Sequence, residues 1–131
     1  MESKVKIATS FMDALQSVEI ERLLSYLSDD VKIVGASGAK YGKPELTQYF
    51  GHYTPPFKDV KTSHVGTYSV NDHVILETVI NATHANDYMG IKASHKSFEM
   101  PVINVFEVKN DKITAWRQYQ NFKILADLHI G

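Results

Sequence analysis

The spacing of apolar residues changes near the middle of this chain, and that change constrains the fold more than any other feature. Up to about residue 50, apolar side chains recur every three or four positions, as on one face of an amphipathic helix. From about residue 60 onward they alternate with polar side chains, as on a β-strand. Helices and strands therefore occupy separate stretches, which predicts the α+β class. A length of 131 residues predicts one domain, spanning 1–131.

Three helices are predicted in the first part of the chain. The first carries an apolar stripe over residues 7–15, and Ser3 suits its N-cap because a hydroxyl oxygen can accept from a free backbone N–H. The second spans 20–27, with Ser17 as its cap. The third begins at Pro44, because the fixed backbone angle of proline suits a first helical turn.

Four strands are predicted in the second part of the chain, over residues 60–70, 73–84, 97–109 and 113–120. Short turns separate the first two strands and the last two, as in an antiparallel meander. A short apolar run at 31–34 indicates one further strand before them. The predicted sheet is therefore antiparallel, with the helices packed against it.

Pro101 interrupts the strand predicted over 97–109. Proline has no N–H for the strand ladder, so we expect either a sheet edge or a β-bulge at this position. A bulge would reverse the faces of the neighbouring side chains and would turn Glu99 towards the interior. The facing of side chains over 97–101 depends on which of the two occurs.

Several segments, in their order along the chain, resemble SnoaL-like proteins of the nuclear transport factor 2-like superfamily. Phe-Met-Asp-Ala-Leu at 11–15, the helix end at 23–30 and Tyr-Gly-Lys-Pro-Glu at 41–45 resemble the start of SnoaL-like proteins and limonene-epoxide hydrolases. Val-Phe-Glu-Val at 105–108 and Trp-Arg-Gln-Tyr at 116–119 resemble their final hairpin. Relatives of this kind also include the ketosteroid isomerases.

The resemblance implies a cone, or cystatin-like roll. In that architecture three N-terminal helices pack on a curved antiparallel β-sheet and enclose an internal pocket. The resemblance also implies a homodimer that pairs through the outer face of the sheet, where Arg117 and Tyr119 would lie. The same fold carries both enzymes and binding proteins, so it does not define the activity.

The resemblance and the alternation along the strands together predict which side chains face the pocket. By resemblance Trp116 points inward, and alternation then selects one face of each strand. The predicted ligand-pocket residues are Met12, Leu15, Thr78, Ile80, His84, Met100, Val102, Asn104, Trp116, Gln118 and Gln120. The alternative is that the apolar members of this set form only the core, because such stripes pack more often than they bind a ligand.

The reactions of the related enzymes need acid and base groups that this chain lacks at the positions implied by the resemblance. The carboxylates and arginine of the epoxide hydrolases correspond to Thr78, Ile80 and Gln118, none of which ionises usefully. The carboxylate base of the ketosteroid isomerases corresponds to Gly35. One of their oxyanion donors corresponds to Asn104, whose amide can still donate a hydrogen bond.

His84 and Glu99 are the remaining catalytic candidates, and each has a plainer alternative. His84 is the one titratable side chain predicted on the inward face, or else a histidine at a strand end beside a polar loop. Glu99 is a base turned inward by a bulge, or else a carboxylate in solvent. No metal site is predicted, because no two histidines have H-x-H or H-x-x-x-H spacing, and no cofactor is predicted.

Composition argues against several other classes of partner. With 14 basic and 15 acidic residues the formal net charge is −1, so there is no basic excess to bind nucleic acid. The absence of cysteine excludes disulfides and thiolate metal sites. No apolar stretch is long enough to span a membrane and no apolar leader follows Met1, so we expect no membrane partner and a cytoplasmic location.

Three functions stay open at this point. The favoured one is a domain that binds a small apolar ligand without the acid and base residues of its enzymatic relatives. The second is an isomerase, hydrolase or cyclase that uses a different acid–base set, His84 or Glu99. The third is a homodimeric protein-interaction module whose cone is filled by its own side chains.

Overall fold

The computed structural model describes residues 3–35, 38–52, 55–121 and 123–130. The helices are α1 (Lys4–Gln16), α2 (Ile20–Ser25), α3 (Lys43–Gly51) and α4 (Lys123–Asp127). The strands are β1 (Leu27–Gly35), β2 (Gly38–Tyr41), β3 (Phe57–Val70), β4 (His73–His84), β5 (Ser97–Lys109) and β6 (Lys112–Gln120). They form one curved six-stranded sheet in the order β2-β1-β6-β5-β4-β3, in which β1 runs parallel to β6 and the other neighbours are antiparallel.

The chain starts with two helices and a β-hairpin, and the third helix follows that hairpin rather than preceding all strands. The predicted cap of α1 is confirmed, since the backbone N–H of Lys6 donates to Ser3 Oγ at 3.1 Å. The predicted start of α2 at residue 20 is confirmed, but its cap and its end are wrong. Glu19, not Ser17, occupies the N-cap and makes no side-chain capping hydrogen bond, and the helix ends at Ser25.

Leu27 belongs to β1 rather than to the second helix. It pairs with Ile113 of β6, whose N–H donates to the carbonyl of Tyr26 at 2.8 Å. Leu27 is buried, as it would also be on an apolar helix face, so apolar spacing alone does not separate the two assignments. The parallel pairing of β1 with β6 makes the sheet mixed, which corrects the antiparallel sheet predicted above and leaves the α+β class unchanged.

Pro101 lies at a sheet edge, which is one of the two expected alternatives. It pairs with Val79 of β4, whereas the ladder between β5 and β6 begins only at Val102 and Gln120. The register between β4 and β5 is continuous here, so no bulge forms and Glu99 stays exposed on the outer face. The hypothesis that a bulge turns Glu99 inward is therefore wrong.

Two clusters of buried side chains lie on the inner face of the sheet. In the first, the helices α1, α2 and α3 pack on the sheet, and Phe11 makes edge contacts with Phe106 and Trp116 at ring-centroid distances of 5.9 and 5.1 Å. The second contains Met100 and Leu125, and brings α4 against the end of the sheet. Side chains from both clusters border the candidate site.

Candidate functional site

A cavity of about 510 Å³ lies between the inner face of the sheet and the helices α1 and α3. Leu76 and Phe50 reach its wall from the first core cluster, and Phe57 and Val60 reach it from the second. The predicted pocket residues that line it are Met12, Leu15, Thr78, Ile80, Val102, Asn104, Trp116, Gln118 and Gln120. Their contact with a ligand stays a prediction.

Met100 and His84 lie behind the cavity wall instead of on it. Both are fully buried, Met100 within the second core cluster and His84 at the end of β4. The ring of Phe57, which lines the cavity, contacts the His84 imidazole edge-on at a centroid distance of 6.1 Å. The inner face of β4 therefore borders the cavity as far as Ile80 and continues beyond it as packed core.

His84 is an isolated polar group in that core. Neither ring nitrogen has a hydrogen-bond partner within the described part of the chain. Burial lowers the pKa of His84, because the charged imidazolium would lose its hydration, and the nearby His129 lowers it further. The backbone near Asn86 and the carboxylate of Asp87 favour the charged form more weakly. The imidazole is consequently neutral at pH 7.

Three side chains on the cavity wall, Asn104 of β5 with Trp116 and Gln118 of β6, form a hydrogen-bonded group that we call the amide cluster. The indole N–H of Trp116 donates to Asn104 Oδ1 at 2.9 Å, and Gln118 Nε2 donates to the same oxygen at 3.1 Å. Asn104 and Gln118 are direct cross-strand partners, so the register of the β5–β6 hairpin brings the two amides together. The amide cluster carries no charge.

A second set of polar side chains lines the cavity and was not predicted. Asp13 and Gln16 reach the wall from α1, Thr62 and His64 from β3, and Lys40 from β2. Asp13 and His64 are largely exposed, which distinguishes them from the amide cluster. Asp13, His64 and Lys40 are ionisable groups of the cavity wall that the sequence did not predict there.

The position of His64 depends on strand register, which the sequence does not reveal. His64 pairs with Thr78, so both side chains lie on the inner face, while a register shift between His64 and Gly66 changes the facing beyond that point. The alternation of β3 was visible in the sequence, and the pairing with β4 decides which half of it faces the cavity.

The family profile of the SnoaL-like domain matches residues 8–116. The chain belongs to the SnoaL-like family. Its fold is similar to that of a protein from Jannaschia sp. assigned as a SnoaL-like polyketide cyclase, with a TM-score of 0.83 and 10% identity over 95% of this chain and 90% of that one. It is also similar to an LEH-like epoxide hydrolase from M. tuberculosis, with a TM-score of 0.74 and 16% identity over 97% and 89% of the two chains. A protein with a ketosteroid isomerase-like fold from Catenulispora acidiphila gives a TM-score of 0.73 and 17% identity over 93% and 90%.

In this SnoaL-like domain, the side chains at the positions compared above with the epoxide hydrolases all line the cavity. Thr78 Oγ1 donates to the carbonyl of Val102 at 3.3 Å, Ile80 is apolar, and Gln118 donates to Asn104. These three side chains therefore present hydroxyl, methyl and amide groups to the cavity rather than carboxylates.

Within the described ranges, no three histidine, aspartate or glutamate side chains are placed to hold a metal ion. In the same part of the chain, no helix has both the length and the apolar character needed to cross a membrane.

Proposed function

We propose that this SnoaL-like domain binds a small, largely apolar ligand in the cavity between its helices and its sheet. The observation that carries the proposal is an apolar-walled cavity of about 510 Å³ with a neutral amide cluster on one wall. Pockets for small molecules are typically about 300–1,000 Å³ and combine apolar walls with a few placed polar groups. The apolar side chains would supply affinity, and the amides would orient the ligand.

Ligand binding is favoured over epoxide hydrolysis because of the side chains at Thr78, Ile80 and Gln118. A hydroxyl, an alkyl group and an amide do not exchange protons readily near neutral pH. Epoxide opening needs one group to activate water and another to protonate the leaving oxygen. Asn104 can support only the donor half of such chemistry.

A proton-transfer enzyme is the second candidate, and the titratable groups of the cavity wall favour a different pair from the one expected above. Glu99 is on the outer face and His84 lies behind the wall, whereas Asp13 and His64 line the cavity. Asp13→Asn and His64→Gln would lower turnover of a substrate while leaving its binding unchanged.

The cavity volume disfavours the third candidate, a protein-interaction module, since a module with a filled cone would leave no such space.

Cavity binding is tested with a neutral fluorescent hydrophobic probe, N-phenyl-1-naphthylamine, whose emission rises in an apolar site. We expect saturable binding to the wild type and its loss in Ile80→Trp, because the larger side chain fills the cavity. Val70→Trp is the matched control, since Val70 is exposed at the end of β3 and does not line the cavity. Equal binding by both variants would show that the probe binds elsewhere.

We further propose that two copies pair through the outer face of the sheet. On that face Ile75 pairs with Val105, and Ile103 pairs with Tyr119, which gives adjacent rows of partly exposed apolar side chains. Such a patch suits a homodimer interface. Multi-angle light scattering should give twice the chain mass for the wild type and for the α3 surface control Gln48→Glu, and the mass of one chain for Ile103→Glu.

The cytoplasmic location expected from the sequence stays a prediction.

A further inference from the structure

We propose that the amide cluster selects a ligand group that is neutral and both donates and accepts a hydrogen bond, such as a hydroxyl, a carboxamide or an enol beside a carbonyl. Carboxylates and ammonium groups are rejected at this position. The inference rests on the proposed ligand-binding function and names the chemistry of the ligand that the cavity takes.

The orientation of both amides follows from the indole of Trp116. An indole N–H can only donate, so the Asn104 atom 2.9 Å away from it is the carbonyl oxygen. The Gln118 atom 3.1 Å from that same oxygen is then the NH2 group. One obligatory donor therefore fixes the direction of the whole cluster.

Two polar groups are left over once these bonds are made. Asn104 keeps its NH2 as a donor, and Gln118 keeps Oε1 as an acceptor, with no hydrogen-bond partner for either within the described ranges of the chain. Both residues line the cavity, and they are direct cross-strand partners. The wall therefore presents a donor and an acceptor next to each other.

Only a neutral group complements that pair. A carboxylate would accept from Asn104 but would oppose the lone pairs of Gln118 Oε1, and an ammonium would donate to Gln118 but oppose the NH2 of Asn104. Neither ion finds an opposite charge within the amide cluster to offset the loss of its hydration. A hydroxyl donates to Gln118 and accepts from Asn104 at once.

Isothermal titration with a matched set of naphthalenes tests the inference: 2-naphthol, 2-methoxynaphthalene and 2-naphthoate. We expect 2-naphthol to bind the wild type roughly tenfold more tightly than 2-methoxynaphthalene, which accepts but cannot donate. 2-Naphthoate should bind more weakly than both. Equal affinities for the phenol and its ether, or a preference for the anion, would overturn the inference.

Variants locate the preference at the amide cluster. Gln118→Met keeps the length of the side chain and removes Oε1, so the ratio between phenol and ether should fall to about one. Gln48→Met makes the same change on the exposed surface of α3 and should leave the ratio at the wild-type value. A tenfold ratio that persists in Gln118→Met would place the discrimination elsewhere and refute the assignment.

The outcomes separate this inference from the proposed function. Binding of all three naphthalenes with equal affinity leaves cavity binding intact and removes the selection by the amide cluster. Failure of the wild type to bind any naphthalene or N-phenyl-1-naphthylamine argues against the proposed function itself. The wild-type comparison requires no variant to fold.

Discussion

The inner face of the sheet buries polar side chains in two regions, and only in one of them do these side chains hydrogen-bond to one another. In the amide cluster Asn104 is 1% exposed, and its oxygen accepts from two donors. At the end of β4 His84 is 0% exposed, and its ring nitrogens have no partner among the described residues. Burial is the same in both cases, so hydrogen bonding is what separates them.

The comparison shows how one sheet face supports two different properties. A buried amide whose oxygen accepts two hydrogen bonds is held in one orientation, and it can present its remaining NH2 group to a ligand. An imidazole buried without a hydrogen-bond partner weakens the fold, and stability then depends on pH because burial removes the hydration of the charged form. Three variants, one in each region and one at a surface ion pair, test this difference.

The largest expected effect comes from removing the acceptor in the amide cluster. Asn104→Leu leaves the buried indole N–H of Trp116 without a partner, and we expect a loss of about 2 kcal/mol in the free energy of unfolding. Urea denaturation measures it. Asn81→Leu is the control, since Asn81 is an exposed amide on β4, and its change should stay within about 0.5 kcal/mol. Equal losses in the two variants would mean that the cluster contributes nothing specific.

A smaller effect of opposite sign is expected at His84. His84→Leu replaces an unpartnered buried imidazole by an apolar side chain of similar size, and should raise the free energy of unfolding at pH 7.5 by about 1 kcal/mol. His52→Leu on an exposed position at the end of α3 should have little effect. Destabilisation by His84→Leu would indicate that the ring nitrogens are hydrogen-bonded in solution.

The same variant should also change the pH dependence of stability. Burial lowers the pKa of His84 from its ordinary value of 6.5, so between these two values the unfolded chain binds a proton that the folded chain does not. Wild-type stability should therefore fall as the pH drops below about 6.5, and should fall less in His84→Leu. Urea denaturation at pH 7.5, 6.5 and 5.5 measures both slopes. Every other ionisable side chain is the same in both proteins, so the difference between the slopes isolates His84.

The smallest effect is expected for a polar pair outside the core. Arg117 Nη1 and Glu107 Oε2 are 2.8 Å apart on the outer face, and this pairing lowers the pKa of Glu107. In the Ile103→Glu background, in which no second copy covers the outer face, solvent screens the partly exposed pair, so Arg117→Gln should cost only about 0.5 kcal/mol, and less still in 1 M salt. A loss of unfolding free energy as large as that of Asn104→Leu would show that burial does not determine how much a polar pair stabilises this fold.

Much of the cavity wall was predictable from β4, β5 and β6, because their side chains alternate regularly and the turns between them are short. Resemblance and alternation together placed Thr78, Asn104 and Gln118 on one face, and all three line the cavity. The same alternation placed His84 there as well. His84 is packed core rather than cavity wall because residues distant in sequence cover it. Here these residues are Phe57 and the region around α4.

The parallel pairing of β1 with β6 was not predictable by the same means. The residues at 28–30 are polar, and in sequence they look like the end of a helix rather than the middle of a strand. The pairing joins 27–34 to 113–117, across most of the chain, and no local pattern encodes a contact at that separation. The strand β2 is short and mostly exposed, so it has little apolar alternation to reveal it.

The position of Pro101 affects the tendency of this protein to aggregate at high concentration. Among the described residues, no strand lies beside the stretch of β5 that runs past the end of β6, and an unpaired strand edge of this kind can add a strand from another chain. Here the stretch carries a proline, which removes one N–H from the would-be ladder, and an exposed carboxylate at Glu99. Both features oppose the addition of a strand from another molecule. Pro101, next to the point where the β5–β6 ladder ends, therefore also disfavours aggregation through this edge.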